Sequence, residues 1–318
     1  MKIVEPSVEI LDYPEATDKV AVYKFLEKIG RTCYKSEDKI TDDSYKKMID
    51  NLIKNRHTSV LEHYTYVARI DENFFINIIN NMDFMNPYNK FVNITRYREN
   101  TDWSYLMSYS LATKINMDKM YNDHLSLIID QLERMFNNGI KVFLTQGEIL
   151  QLPIAERLRH QYITVKFICD RGLMAEITRH RQASFSVEST RYANYSLDKF
   201  GNEITVICPF NRDEVSSTAY ERWYSACKTA EDIYIQLTTD ENSANKDGVI
   251  KPQIARSVLP NSLKTEIVMT APLWSWINFF NLRMASSAHP QMQELATMLF
   301  NKLIEHGEYK ILDSFVND

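Results

Sequence analysis

An α+β fold is expected from this sequence: a central, mostly antiparallel sheet flanked by helices, with a large helical and loop insertion. Three observations predict it. Strand-like runs rich in Val, Ile, Thr and Tyr recur at 63–70 (HYTYVARI), 162–169 (YITVKFIC), 203–208 (EITVIC) and 265–271 (TEIVMTA). Helical periodicity lies between them, but the two kinds interleave irregularly instead of as a regular βαβ wrap. Glycine is scarce, at 7 of 318 residues, and neither GxGxxG nor GxxxxGK followed by Ser or Thr occurs. Rossmann and P-loop phosphate cradles are therefore excluded.

Taken in order, the first helix is expected over Asp42–Asn55, where Tyr45, Met48, Leu52 and Ile53 share a face behind Thr41 or Asp42 as cap. The run at 63–70 follows. Residues 72–158 are rich in Asn, Met, Tyr and Phe and carry polar loops such as NNMDFMNPYNK and RYRENTDW. That span reads as an insertion within a single domain covering 1–318, since no linker, repeat or low-complexity tract divides the chain. Met120, Leu125, Ile128, Leu132 and Phe136 predict one helix over Met117–Asn138, stopped by Gly139. After the strand at 162–169, a long helix is expected over Asn211–Thr239, with Val215, Tyr220, Trp223, Ala226 and Ile233 or Ile235 inward. Pro290 suits the first turn of a last helix that Gly307 ends.

Composition bounds the function. The chain is 44% hydrophobic and 25% charged, ordinary for a globular protein, and its net charge is −5. An acidic balance disfavours nucleic acid as a general partner but leaves room for a local cationic pocket. No run of about 18 apolar residues exists, and the opening MKIVEPSVEILDYPEATDK lacks a signal-peptide pattern, so no membrane association is expected. Cys33, Cys169, Cys208 and Cys227 form no CxxC pair, which fits a reducing, cytoplasmic setting without disulfides or structural zinc.

One segment concentrates chemistry: Arg179-His180-Arg181-Gln182-Ala183-Ser184-Phe185-Ser186-Val187-Glu188-Ser189-Thr190-Arg191-Tyr192. Three arginines offer planar forks of donors that match phosphate, and the hydroxyls between them complete an anion cradle without a glycine-rich turn. A solvated surface loop is the bland alternative. His57 and His63 are six apart with no third ligand cluster nearby, so no metal is expected. Ser189 has no Ser-His-Asp surroundings, and no cysteine sits where a low pKa would be expected.

The segment resembles the signature of the flavin-dependent thymidylate synthases, which is RHR, seven residues, then Ser. Here the seven are QASFSVE and the serine is Ser189. Three further blocks agree in order. His57-Thr58-Ser59-Val60-Leu61-Glu62-His63 resembles the family's H-x-S/T-x-x-E-H block, and Ala255-Arg256-Ser257-Val258-Leu259-Pro260 its A-R-x-x-L-P block. Asn278-Phe279-Phe280-Asn281-Leu282-Arg283, followed by Ala288-His289-Pro290, resembles its N-F-x-x-L-R block.

The resemblance implies a methyltransferase that converts dUMP to dTMP. It implies 5,10-methylenetetrahydrofolate as carbon donor and FAD reduced by NADPH as hydride source. It implies Arg283 as the catalytic cation beside the pyrimidine, where charge builds on the ring. It implies a flavin held by His57, Ser59, Arg179, His180, Arg181, Val187 and Asn278. Glu176, Arg179, Glu188, Ser189, Arg191, Arg256 and Arg283 would bind dUMP. It also implies a homotetramer with active sites at subunit interfaces. Ser186 and Val187 stand where the family often has Asn and Glu, Glu176 where some members have Gln, and Gln253 where some have Glu. Two alternatives stay open at this point: a flavoenzyme acting on another nucleotide or a tRNA uridine, and a non-catalytic nucleotide- or RNA-binding protein.

Overall fold

A computed structural model describes residues 1–81, 92–120, 124–211, 213–240 and 248–316. The chain opens with strands β1 (Lys2–Ile3) and β2 (Ser7–Leu11), then helices α1 (Lys19–Tyr34) and α2 (Ser44–Lys54). Strand β3 (Thr65–Ile70) leads to α3 (Glu72–Asn81), the hairpin β4 (Val92–Glu99) and β5 (Asp102–Ser110), and four helices, α4 (Leu111–Met120), α5 (His124–Asn137), α6 (Gln146–Leu150) and α7 (Ile154–His160). Next come β6 (Tyr162–Asp170), α8 (Arg171–Ile177), β7 (Ser184–Val187), β8 (Thr205–Val206) and the long α9 (Ser217–Thr239). The chain closes with α10 (Pro252–Ala255), β9 (Lys264–Pro272), α11 (Leu273–Arg283) and α12 (Pro290–Glu305).

The mixture of helices and antiparallel sheets matches expectation. A four-stranded sheet runs β2-β6-β9-β7 with every pairing antiparallel, and a three-stranded sheet runs β3-β5-β4. Alternation along β9 places its side chains in two cores. Ile267, Met269 and Ala271 join Val165, Phe167, Trp276, Phe279 and Leu299 on the face covered by α11 and α12. Val268 joins Leu26, Ile29, Leu61, Tyr64 and Tyr109 on the other. At its end β9 passes straight into α11: Pro272 still pairs with Tyr162, and the Leu273 N–H already donates to the Gln161 carbonyl at 3.0 Å.

Several expected elements differ. The polar stretch RYRENTDW is the tip of the β4–β5 hairpin, not a loop; Asn100, at φ +58°, supplies the left-handed residue of its turn. The helix expected over Met117–Asn138 is two helices, α4 and α5, in which Ile128 and Leu132 are buried; the side chains of Met120 and Leu125 lie outside the described residues, as does most of NNMDFMNPYNK.

Helix α9 starts at Ser217, with the Ser216 side chain capping the Ala219 N–H at 3.2 Å. It buries Cys227, Glu231, Tyr234 and Thr238, whereas Ala226 and Ile233 are exposed and Val215 precedes the helix. The face turns because Glu231 is needed inside, where it accepts from the Ile204 N–H at 2.8 Å. That bond and the Ile207 N–H bond to the Ser262 carbonyl cut the strand expected at 203–208 down to Thr205–Val206. Helix α2 keeps Tyr45 and Leu52 inside as expected, with Ile49 between them and Met48 and Ile53 at its margin.

Candidate active site

The RHR turn hangs from the end of α8. Asp170 caps that helix through the Leu173 N–H at 2.8 Å, and the N–H groups of Arg179 and His180 close onto the carbonyls of Glu176 and Ile177. His180 is buried against the Phe279 ring, 4.9 Å between centroids. Burial, and then the nearby Arg283 charge, push its pKa down to about 4, so the ring is neutral at pH 7. Its Nε2 accepts from Arg283 Nε at 2.9 Å, which places the ring hydrogen on Nδ1. Arg283 also donates through Nη1 to Glu176 Oε2 at 3.0 Å and through Nη2 to the Glu176 carbonyl at 2.9 Å. Three of its five N–H groups are thereby used and two remain. Arg179 and Arg181 are exposed, and neither guanidinium has an ion-pair partner among the described residues.

Beyond the turn, the segment contains strand β7 on the edge of the four-stranded sheet, Val187 lying opposite Ile267. His63 fastens this edge. Its Nε2 lies 3.0 Å from Ser186 Oγ and its Nδ1 lies 2.7 Å from Thr270 Oγ1, while burial lowers its pKa to about 3. It is a structural staple with both ring nitrogens occupied. Glu188 is buried and paired with Lys264 at 2.9 Å. Lys264 also meets Glu266, whose other partners are Lys35 at 2.8 Å and Lys166 at 2.5 Å. Burial alone would raise the Glu266 pKa, but Lys264, Lys166 and Lys35 hold it down at about 2.

A second group of site residues gathers after β7. The Ser189 N–H donates to the Cys33 carbonyl at 3.0 Å, and Ser189 Oγ accepts from the Arg191 N–H at 3.3 Å. Arg256 Nη1 donates to Thr190 Oγ1 at 3.1 Å, which draws the A-R-x-x-L-P block to this loop. Arg191 is exposed over the Tyr192 ring, Tyr192 packs on Tyr34, and the Tyr34 hydroxyl lies 3.2 Å from His57 Nδ1. Ser59 is exposed two residues on, and Asn278 is exposed on α11 one turn from Trp274. Within one chain, then, Glu176, His180 and Arg283 form one cluster and Ser189, Arg191 and Arg256 another. The two guanidiniums of Arg256 and Arg283 answer to different partners.

Between the RHR turn and the sheets lies a pocket lined by Glu62, Arg181, Gln182, Tyr162, Trp274 and Asn93. Burial raises the pKa values of Cys33, Cys169 and Cys227, which disfavours their thiolate forms. No group of three or more metal-binding side chains occurs among the described residues.

The sequence matches the Thy1 family, described as thymidylate synthase complementing protein, over residues 11–144 and 146–306. The chain belongs to this family. Among curated relatives, it is 25% identical over 182 residues to the flavin-dependent thymidylate synthase of Pyrococcus furiosus, covering 57% of this chain and 69% of that protein. It is 29% identical over 177 residues to that of Geobacter sulfurreducens, covering 54% and 69%. It is 27% identical over 143 residues to that of Helicobacter pylori, covering 45% and 67%. Two crystal structures of the Helicobacter pylori thymidylate synthase X with FAD and dUMP also align. One has 26% identity and a TM-score of 0.37, covering 52% of this chain and 79% of that one. The other has 17% identity and a TM-score of 0.39, covering 99% and 100%. Membership of the Thy1 family rests on the sequence match.

For a Thy1 chain, the residues that motif reading passed over are as informative as those it found. Tyr34 ends a helix with no distinctive sequence signal. Asn93 and Tyr162 are joined by a 3.1 Å hydrogen bond across two sheets, a contact that no local pattern encodes. Thr190 and Tyr192 alternate with Ser189 and Arg191 in the arginine-rich segment, a pattern visible in the sequence itself.

Proposed function

We propose that this chain is a flavin-dependent thymidylate synthase, a methyltransferase that makes dTMP from dUMP with 5,10-methylenetetrahydrofolate as carbon donor and NADPH as the reductant of FAD. The observation that carries this reading is the Thy1 match over residues 11–144 and 146–306, which encloses all four motif blocks. The relatives that bear this activity in their names support the choice of a flavin cofactor and of thymidylate synthesis.

The residues present fit such a cofactor. Arg181 is an exposed cation lining a pocket walled by the aromatic ring of Trp274, which suits a planar anionic group, and Arg179 is exposed two residues before it in the same turn. His57, Ser59, Arg179, His180, Arg181, Val187 and Asn278 would hold FAD, which supplies hydride when bound. Ser189, Arg191 and Arg256 would take the nucleotide phosphate, with Glu188 held in the loop by Lys264. Arg283, oriented by His180 and Glu176, would turn its two remaining N–H groups to the pyrimidine and stabilise charge building there.

Within one chain Arg256 and Arg283 bind different partners, which supports sites shared between subunits of a homotetramer. No described helix is long and apolar enough to cross a membrane. We place the enzyme in the cytoplasm, as one domain with 72–158 inserted, acting on free nucleotide and not on nucleic acid. Purified protein should show flavin absorption, and dUMP should accelerate NADPH oxidation and yield dTMP. Protein that neither carries nor takes up FAD would falsify the proposal.

A further inference from the structure

Helix α1 ends in a corner tethered on both sides of Tyr34. On one side the Cys33 carbonyl accepts the Ser189 N–H at 3.0 Å. On the other, Lys35 Nζ reaches Glu266 at 2.8 Å and Glu37 at 3.0 Å. Lys35 takes the left-handed conformation at φ +46°, and the Ser36 N–H closes back onto the Arg31 carbonyl at 3.2 Å, a fixed helix end. The Tyr34 ring held in this corner packs against Tyr192 with centroids 5.2 Å apart. Its hydroxyl lies 3.2 Å from His57 Nδ1. The His57 backbone is itself pinned, its N–H donating to the Leu52 carbonyl at 2.9 Å. The other ring nitrogen, Nε2, has no protein partner among the described residues.

We propose that Tyr34 is a positioning residue that fixes the tautomer and orientation of His57. An exposed neutral imidazole exchanges its hydrogen between two nitrogens and turns about its side-chain torsions. A phenol donating to Nδ1 selects the form with hydrogen on Nε2 and aims that N–H outward as a donor. Tyr192 backs the Tyr34 ring, so the donor from the His57 block is set in one frame with Arg191 on the loop after β7. This inference rests on the reading that His57 faces the flavin.

The test uses the full chain labelled with nitrogen-15 at histidine, first without flavin and at a fixed pH of 8. His57→Gln assigns the resonance. In the wild type the Nδ1–H form of His57 should be missing and Nδ1 should show a hydrogen-bonded shift. Tyr34→Phe, which keeps the ring and its packing, should restore the Nδ1–H form and weaken FAD binding about fivefold, the effect of one net hydrogen bond. A His57 spectrum unchanged by Tyr34→Phe overturns the proposal, and so does a changed spectrum with unaltered FAD affinity. If the wild type takes up no FAD, the functional reading fails by itself, and the nitrogen-15 comparison still decides whether Tyr34 orders His57.

Discussion

Arg283 shows how much one guanidinium is asked to do. It ties α11 to the end of α8 through Glu176 and holds His180 in one tautomer, and these three bonds leave two of its N–H groups over. Arg283→Ala should therefore lower dTMP formation at least 100-fold, the scale for losing a preorganised charge donor. It should also cost about 1–3 kcal/mol of stability, since His180 and Glu176 lose their partner. Arg283→Lys should recover stability better than turnover, because an ammonium cannot reproduce the three-way fork. Steady-state rates and urea unfolding of both variants check this, and wild-type turnover in either would remove Arg283 from its role. The motif made Arg283 legible. Its clamp was not, because Glu176 is 107 positions away and only the packing of α8 against the sheet brings it near.

At the scale of elements, buried neutral histidines join the sheets. His63 pins β7 and β9, and His160 links the hairpin to α7 through Thr95 at 2.8 Å and Ser108 at 3.0 Å. Burial lowers both pKa values to about 3. An unfolded histidine titrates near 6.5, so between about pH 6.5 and 3 the unfolded chain binds protons that the folded chain refuses. Stability should fall as pH drops through that window, by ~1.4 kcal/mol per pH unit for each histidine. His160→Gln should lessen the slope between pH 6 and 5 in urea titrations; a slope equal to wild type would count against the assignment.

The β4–β5 turn gives a second expectation. With Asn100 at φ +58°, Asn100→Gly should be neutral or stabilise by a few tenths of a kcal/mol, whereas Asn100→Val should cost about 1–2 kcal/mol. Thermal unfolding of the pair measures it. Strands rich in Val, Ile and Thr, such as 162–169 and 265–271, are readable from their residue types, and the two pair with each other along their length. The hairpin was misread because its outward Arg96 and Arg98, which lie over the Trp103 ring, and the polar residues of its turn look like a loop when the pairing is unseen. Likewise the buried face of α9 follows Glu231, whose reason for being inside lies in the Ile204 backbone.

For the whole molecule, the exposure of His57, Ser59, Arg179, Arg181, Arg191, Arg256 and Asn278 in a single chain is the telling feature. Seven candidates for ligand contact stand open to solvent, and the two arginine clusters have separate partners. If neighbouring subunits complete each site, sedimentation should show a tetramer. Co-expressed Arg256→Ala and Arg283→Ala chains should regain part of the activity that each lacks alone, since some mixed sites receive both native arginines. No recovery in verified mixed tetramers would argue for sites contained within one subunit. The arginine-rich segment suggests an anion cradle from sequence alone, but no sequence pattern tells whether one chain or two supply Arg256 and Arg283 to a site.

The loop-free passage from β9 into α11 couples the pleat to the helix like a shaft to a crank. Pro272 is still in register with Tyr162 when Leu273 begins the first turn. One residue added at this junction would swing everything downstream by about 100°. Arg283, ten positions along, would be carried round away from Glu176, while Trp276 and Phe279 would leave their niches together. Evolution can lengthen the hairpin or the polar surface loops with little effect, but this seam admits no change in length without misaiming the guanidinium at its far end.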